Sequence, residues 1–340
     1  MPSNTAAWLT AEKASPLEVK AAPYTSPGEN ELVVQNGALA LNPVDGARQM
    51  LGKDLFDWTT YPCVMGSDVA GEVVEVGNGV SRFKKGDRVT GLALELTSNK
   101  SSTGAFQAYT VLAEHMTAPI PSSMSYETAS VLPLGISTAA CGLFQKDYLA
   151  LQFPTVPPKP ATGETVLIWG GSTSVGSNAI QLAVSAGYEV ISTASPKNFG
   201  YVKNLGASQV FDYHSESIVT DLVEAFKGKQ SAGAFAIGAG SPEFCVEVVS
   251  KTQGRKFVAS AFRQIGEPKN VGIKFIFGSD LQHNEVGPAI YEAFLPKALV
   301  AGSFVAAPEP QVVGKGLVSI QGGLDKLKAG VSATKLVISL

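Results

Sequence analysis

Residues 164–186, ETVLIWGGSTSVGSNAIQLAVSA, decide the fold of this chain. The apolar run at 165–169 is typical of a buried parallel strand, and Gly170 and Gly171 end it. The apolar residues that follow recur at helical spacing. The stretch therefore predicts a strand, a tight turn and a helix.

The turn between that strand and that helix predicts an anion-binding site. The N-terminus of a helix presents free N–H groups and the positive end of the helix dipole, both of which favour a pyrophosphate. Ser172 stands where the G-x-G-x-x-G fingerprint has its second glycine, so the prediction depends on Gly170, Ser172, Val175 and Gly176. The alternative is that the glycines only make a tight connection.

Strand and helix patterns alternate after the turn. Strands are predicted at 189–193, 209–211, 234–237, 256–259 and 274–277. Helices are predicted between the first four of these strands, at 198–205, 217–226 and 242–249. This alternation predicts a doubly wound parallel sheet, which binds its ligand beyond the carboxyl ends of the strands. Helical patterns at 126–132 and 137–144, with a break at Pro133, and a proline-rich connection at 151–160 precede it.

The end of the second predicted strand indicates which dinucleotide binds. An acidic residue there would bond the ribose 2′-hydroxyl and repel a 2′-phosphate. The chain has Ser195, Pro196, Lys197 and Asn198 at this place and no carboxylate, so NADPH is favoured over NADH. The alternative is that Lys197 is an ordinary solvated lysine.

The residues before 120 predict a small β-barrel. Short strand patterns occur at 31–35, 39–41, 71–77 and 104–112, and 83–89 places a turn before another strand, with glycines between them. The last part of the chain has amphipathic stretches at 289–299 and 316–327 and a strand pattern at 334–339, whose sheet partner periodicity does not identify.

Composition indicates a soluble, core-rich α/β protein. The 340 residues are 45% hydrophobic and 16% charged, with a formal net charge of −3, which argues against nucleic acid as a partner. We expect a cytoplasmic protein without a membrane span, because neither a signal sequence nor a long apolar window is evident. Cys63, Cys141 and Cys245 are far apart, which predicts buried free thiols and no metal site.

Five further motifs suggest a family. They are NPVD at 42–45, YPCVMGSDVAGEVVEVG at 61–77, GDRV at 86–89, GAFQAY at 104–109 and GISTA at 135–139. Together with the glycine turn, they make the chain resemble the medium-chain dehydrogenase/reductase superfamily. The resemblance is strongest to its zinc-free branch, which contains quinone oxidoreductases and the trans-acting enoyl reductases of fungal polyketide pathways.

The resemblance implies an α/β protein with two domains and an active site in the cleft. A GroES-like β-barrel domain at 1–125 would be completed by the tail at 290–340, and a Rossmann NADP-binding domain would span 126–289. Zinc-dependent members have a cysteine where Val44 or Asp45 falls, Gly-His-Glu where this chain has Gly-Ser-Asp at 66–68, and a four-cysteine lobe where 92–104 has none. We therefore expect no metal, and conjugate reduction of an enone, enoyl thioester or quinone by hydride transfer.

The resemblance also assigns site residues. Asn42, with Pro43, Val44 and Asp45 of its motif, and Thr138 would lie beside the nicotinamide and its ribose. Gly170, Ser172, Thr173, Ser174, Val175 and Gly176 would hold the pyrophosphate; Ser195, Pro196, Lys197, Asn198 and Tyr213 would hold the 2′-phosphate and adenosine ribose; and Val331 and Ser332 would close over the cofactor.

Other interpretations of these residues stay open. Asn42 can simply start a turn, Thr138 can cap a helix, and Tyr213 can be a half-buried aromatic residue. Catalytic roles are predicted for Asn42, Thr138, Lys53 and Tyr61, with Lys53 and Tyr61 as alternative proton donors. A loop lysine is more often only solvated, and solvent can supply the proton instead. His283 is the weakest candidate acid, in a 281–285 segment that is a candidate lining of the acceptor pocket.

Two other functions fit the same patterns. One is a zinc-free, NADPH-dependent reductase of ketones or aldehydes, and the other is a non-catalytic NADPH-binding protein. A small hydrophobic substrate is expected, either free or tethered to an acyl carrier, and the chain is expected to be a monomer or a homodimer. The sequence does not identify the substrate, the hydride face or the need for a polyketide synthase partner.

Overall fold

The computed structural model of the protein describes residues 2–263, 266 and 268–340. The chain divides into two compact units. The first comprises Met1–Leu134 and Tyr291–Leu340, and the second comprises Gly135–Ile290. The chain thus leaves the first unit once and returns to it.

The first unit is built mainly of antiparallel strands. Its strands are β1 (Asn4–Leu9), β2 (Glu18–Ala22), β3 (Glu31–Ala40), β4 (Cys63–Val64), β5 (Asp68–Val76), β6 (Arg88–Leu92), β7 (Tyr109–Ala113), β8 (Thr117–Pro119), β15 (Pro310–Lys315) and β16 (Lys335–Ser339). Its α-helices are α1 (Pro43–Leu51), α2 (Glu95–Ser98), α3 (Tyr126–Ala129), α10 (Leu295–Ala301) and α11 (Ile320–Lys328).

Two sheets form this unit. One has the order β2-β1-β4, and the other has the order β15-β16-β3-β5-β6-β8, with β7 also paired to β3. Strand β16 lies antiparallel to β3 and parallel to β15. The strand that the sequence could not place is therefore an internal member of the larger sheet, which combines strands from residues before 120 with strands from residues after 309.

The second unit is a parallel sheet covered by helices. Its strands are β9 (Glu164–Ile168), β10 (Glu189–Ala194), β11 (Gln209–Asp212), β12 (Gln230–Ala236), β13 (Phe257–Ser260) and β14 (Gly272–Phe275). Its helices are α5 (Ser174–Ser185), α6 (Phe199–Asn204), α7 (Ile218–Ala225), α8 (Ser241–Lys251) and the short α9 (Val286–Pro288), followed by a π-helical turn Ala289–Phe294 that continues into the first unit. The strand order β11-β10-β9-β12-β13-β14 is that of a dinucleotide-binding Rossmann fold.

Helix α4 (Pro133–Phe144) begins in the first unit and continues into the second. The sequence predicted a break at Pro133 and a helix from 137, which is wrong because proline needs no N–H partner in the first helical turn. Helix α3 lies with the first unit: Arg88 stacks 4.5 Å from the centre of the Tyr126 ring, and Ser339 Oγ donates to Glu127 Oε1 at 2.8 Å.

Three other differences concern strands. The two patterns at 31–35 and 39–41 are one continuous strand, β3, whose pairing with β5 shifts register twice. The pattern at 104–112 becomes a strand only from Tyr109. Strands β1, β2 and β15 had no clear sequence signal, since β2 and β15 are largely exposed and lack alternating apolar residues.

One stretch, Tyr126–Phe144, is long and apolar enough to be considered as a membrane span among the described residues. It contains two helices, α3 and α4, and 78% of its apolar window is buried inside the protein. Such burial is typical of a core helix.

Candidate active site

The turn that begins the Rossmann unit, residues 170–176, is here called the phosphate turn. Gly170 has φ +83°, and its N–H donates to Thr193 Oγ1 at 3.0 Å, while Gly171 N–H donates to the Thr193 carbonyl at 2.9 Å. Thr173 Oγ1 accepts from Gly176 N at 3.0 Å and so caps α5. Strand β10 thus holds the turn in place from the side.

The phosphate turn has no room for larger residues. A Cβ atom at Gly176 would lie 2.2 Å from the Gly170 carbonyl oxygen, and one at Gly171 would lie 2.3 Å from Ser192 Oγ. Ser177 Oγ bonds the Thr173 carbonyl at 2.7 Å and the Tyr201 hydroxyl at 2.8 Å, which braces the turn against α6. The sequence predicts Gly170 and Gly176 as parts of the site and Gly171 only as the end of the strand, and it gives no signal for the bracing role of Ser177.

The predicted 2′-phosphate residues lie at the ends of adjacent strands. Ser195 follows β10, Tyr213 follows β11, and the Ser195 and Tyr213 hydroxyl oxygens are 3.1 Å apart. Pro196, Lys197 and Asn198 form a short 3₁₀ turn, in which Lys197 is exposed and makes no ion pair with any described carboxylate. Asp212, the nearest strand-end acid, accepts from His214 N at 3.0 Å.

Thr138 lies within α4 and not at its cap, which settles the alternative left open for it. A Cβ atom at Gly278 would lie only 2.6 Å from Thr138 Oγ1, so the chain after β14 packs directly on this threonine. His283, at the end of the same 3₁₀ segment Gly278–His283, is exposed, whereas Leu281 is fully buried.

Asn42, in the first unit, lies just before α1 and is 4% exposed. Its Nδ2 donates to Asp68 Oδ2 at 2.9 Å, and Lys335 Nζ donates to its Oδ1. Asp68 Oδ1 also accepts from Leu134 N at 2.6 Å. We call Asn42, Asp68, Lys335 and the Leu134 N–H the carboxamide network.

The sequence did not reveal this network. In the sequence, Asp68 stands where zinc-dependent members have a metal ligand, and none of the motifs includes Lys335. A signal was present, because Lys335 opens an otherwise apolar strand and Asp68 opens another, and buried charges in strands need partners.

Asp45 has a local role in the structure. Its Oδ2 accepts from Asn42 N at 2.8 Å and closes the first turn of α1. Removal from water raises the pKa of Asp45 to about 7, an effect that the Asn42 hydrogen bond opposes and nearby Asp68 reinforces. Pro43 is exposed and Val44 half-buried in the same turn, and a cofactor contact for these three residues stays a prediction.

We expect Asp45 to make stability depend on pH. Its folded pKa of about 7 exceeds the unfolded value of about 4, so its stabilisation is fully present below about pH 4 and is lost as the pH rises through about 7. Asp45→Asn keeps an acceptor for Asn42 N but cannot titrate. Urea midpoints at pH 5 and pH 8 should therefore differ less in Asp45→Asn than in the parent, and an equal difference would contradict this assignment.

A buried ion pair lies next to Asp45. Arg48 is 3% exposed and Glu95 1% exposed, and the guanidinium donates two hydrogen bonds to the carboxylate, that from Nη2 to Oε1 being 2.8 Å long. Together with Asp45 and Ser67 they line a small pocket.

The two proposed proton donors share no hydrogen bond with the carboxamide network among the described residues. Lys53 is exposed in a 3₁₀ turn, where its N–H donates to Glu12 Oε1 at 2.9 Å. Tyr61 is half-buried against the core of the first unit, and its buried hydroxyl has no hydrogen-bond partner among the described residues. Neither bonds Asn42. Val331 and Ser332 are exposed between α11 and β16.

The residues present fit a dinucleotide and do not fit a catalytic zinc. The close packing at Gly171 and Gly176 leads the phosphate turn directly into the N-terminus of α5, a position that favours a phosphate group. Zinc requires several thiolate, imidazole or carboxylate ligands together. Among the described residues, no three His, Cys, Asp or Glu side chains are gathered, and all three cysteines are buried free thiols, as predicted. A reaction without metal stays a prediction.

Comparison with known proteins identifies the family. Residues 28–122 match the model of the alcohol dehydrogenase GroES-like domain. Dehydrogenase pigH of Monascus ruber is 55% identical over the whole of both chains, and trans-enoyl reductase himH of Aspergillus japonicus is 40% identical over 99% of this chain and 97% of its own. The chain belongs to the medium-chain dehydrogenase/reductase family.

A solved structure agrees with this medium-chain dehydrogenase/reductase fold. The quinone oxidoreductase of Pseudomonas syringae pv. Tomato superposes with a TM-score of 0.74 at 23% identity, covering 99% of this chain and 100% of the other. The chain is thus an oxidoreductase of a family that uses a nicotinamide cofactor, with a GroES-like domain and a Rossmann domain.

Proposed function

We propose that this medium-chain reductase uses NADPH, without a metal, to reduce an activated carbon–carbon double bond or a quinone on a small hydrophobic acceptor. The observation that carries the proposal is the group at the ends of β10 and β11. Ser195 and Tyr213 present adjacent hydroxyl groups, Lys197 supplies an exposed charge, and β10 ends without a carboxylate. The 40% identity to a trans-enoyl reductase supports the acceptor class.

The chain's own residues account for binding and orientation. The phosphate turn and the N-terminus of α5 would bind the pyrophosphate, and the Ser195, Lys197 and Tyr213 group would bind the 2′-phosphate. When bound, NADPH would supply the hydride for the β-carbon of the acceptor. Asn42 and Thr138 are proposed to orient the reacting groups, and solvent, Lys53 or Tyr61 would supply the proton that the resulting enolate takes up.

Lys197→Ala tests the cofactor assignment. Loss of a charge-assisted phosphate contact is expected to weaken NADPH binding by about 1–3 kcal/mol, or roughly 5- to 150-fold in Kd, and to leave the weak binding of NADH unchanged. Calorimetric titration measures both constants. Lys203→Ala removes another exposed lysine, on α6, and serves as the matched control. Equal losses for the two variants, or for the two nucleotides, would contradict the assignment.

An acceptor panel separates the remaining functions. NADPH oxidation with an enone or a quinone, and none with a matched simple ketone, is expected. Turnover of the ketone alone would establish the carbonyl reductase alternative, and tight NADPH binding without turnover of any acceptor would establish the non-catalytic one.

Basic residues of the first unit bear on how the acceptor arrives. An acidic acyl carrier would need basic side chains on this protein that are free to pair with it. Residues 82–85 include three basic residues. Arg82, however, donates to the Glu114 and Tyr291 carbonyls at 3.0 and 3.2 Å, and Lys84 pairs with Asp87 at 2.7 Å. Since two of the three charges are already engaged, we favour a free acceptor over a carrier-tethered one.

A further inference from the structure

The ion pair between Lys335 and Asp68 is almost completely removed from solvent. The ammonium and carboxylate groups are 2.8 Å apart, and the two side chains are 4% and 0% exposed. Replacing a buried ion pair with well-packed apolar residues is often neutral or stabilising, so stability alone is a poor reason for such a pair. In addition to contacting each other, both charged groups form a hydrogen bond with the side chain of Asn42.

The chemistry of the pair fixes the orientation of the Asn42 carboxamide. An ammonium group can only donate and a carboxylate can only accept hydrogen bonds. Lys335 therefore selects Asn42 Oδ1 and Asp68 selects Asn42 Nδ2, which are the contacts observed. A 180° flip of the carboxamide would place donor against donor and acceptor against acceptor.

The same carboxylate also fixes the first turn of α4. Asp68 Oδ1 accepts from Leu134 N at 2.6 Å, directly after Pro133 at the start of the helix. A negative charge at this end complements the helix dipole and satisfies an N–H that has no partner within the helix. Helix α4 carries Thr138 one turn later.

We propose that Lys335 is a positioning residue, which, through Asp68, holds the Asn42 carboxamide in one orientation and fixes the start of the helix that carries Thr138. The inference rests on the proposed function in one respect, namely that Asn42 and Thr138 act beside the nicotinamide. Lys335 itself needs no contact with substrate or cofactor for this role.

Lys335→Met and the double variant Lys335→Met/Asp68→Asn test the proposal. The double variant leaves no unpaired buried charge, so it keeps the test valid if the single variant does not fold. Because misplacement of an orienting group by about 1 Å can cost up to 100-fold in rate, kcat is expected to fall roughly 10- to 100-fold. The Kd of NADPH is expected to change less than about threefold, since the phosphate-binding residues are untouched.

Ile338→Ala is the matched control. Ile338 is fully buried on the same strand, β16, and makes no part of the carboxamide network. Its truncation should lower the urea midpoint while leaving kcat unchanged. If Ile338→Ala lowers kcat as much as the network variants do, loss of stability explains the effect and the proposal fails.

A spectroscopic measurement keeps this test separate from that of the proposed function. In protein with ¹⁵N-labelled asparagine, the Asn42 side-chain NH₂ pair, assigned by its absence in Asn42→Ser, should be shifted and slow to exchange in the parent. The pair should shift in both network variants and should reach the position of a mobile asparagine in the double variant, which also lacks the Asp68 carboxylate, whether or not any acceptor is turned over. An unchanged Asn42 signal, or a loss of NADPH affinity as large as the loss of kcat, would overturn the proposal.

Discussion

Glu95→Gln is expected to lower the free energy of unfolding by about 3–5 kcal/mol, the range for breaking one partner of a buried ion pair. The guanidinium of Arg48 is 3% exposed, and without the carboxylate its charge would stay buried and uncompensated. Its other bond, from Nε to Thr59 Oγ1 at 3.3 Å, is long and to a neutral group. Urea unfolding followed by the fluorescence of the three tryptophans measures the loss, and one of them, Trp58, donates from Nε1 to the carbonyl of Leu96, the residue after Glu95.

A double variant distinguishes the cost of an unpaired charge from the contribution of the pair. Arg48→Met/Glu95→Leu removes both charges and should recover most of the stability that Glu95→Gln loses. If Glu95→Gln unfolds at the same urea concentration as the parent, water reaches Arg48 through the adjoining pocket. The guanidinium charge would then be solvated without its carboxylate partner, and the expected loss of stability would be contradicted.

Gly176→Ala is expected to weaken NADPH binding by more than about 100-fold, because at least two charge-assisted contacts of the phosphate turn would be lost. The new Cβ atom would lie 2.2 Å from the Gly170 carbonyl oxygen and 2.8 Å from Gly171 Cα. Both neighbours are backbone atoms, so the turn itself must open. Calorimetric titration with NADPH measures the effect.

Gly200→Ala provides the control for that substitution. Gly200 lies on α6, close to the same site, and nothing lies within 4 Å of the position that a Cβ atom would take. Alanine should be neutral or slightly stabilising there, since helical glycine costs about 1 kcal/mol relative to alanine. Comparable NADPH affinities for the two variants would show that the close packing of the phosphate turn does not govern binding.

The Rossmann unit was largely predictable, and the first unit was predictable only in outline. A parallel sheet is made of apolar runs separated by short helices, and each run carries its own signal, as in β9 and β10. The larger sheet of the first unit depends on pairing between distant segments. Strand β16 has an ordinary apolar pattern. No feature of its own sequence identifies β3 and β15 as the strands with which it pairs.

The same distinction explains the site. The phosphate turn and the residues from Ser195 to Asn198 are continuous in sequence, so their types and spacing indicate a nucleotide directly. The carboxamide network joins residues as far apart as Asn42 and Lys335, which are 293 positions apart. Asp45 shows a local contact that the family motif did not indicate, since its carboxylate accepts from Asn42 N at the start of α1, and its contact with the cofactor stays a prediction.

The pairing of β16 with β3 has a consequence for biosynthesis. Roughly 295 residues separate these strands, so at typical elongation rates of about 5–20 residues per second the ribosome makes β16 some 15–60 s after β3. The Rossmann unit is one continuous segment and can fold during that interval. The nascent protein can therefore acquire its phosphate turn while part of β3 still lacks its β16 partner, and Lys335 reaches Asn42 only after that interval.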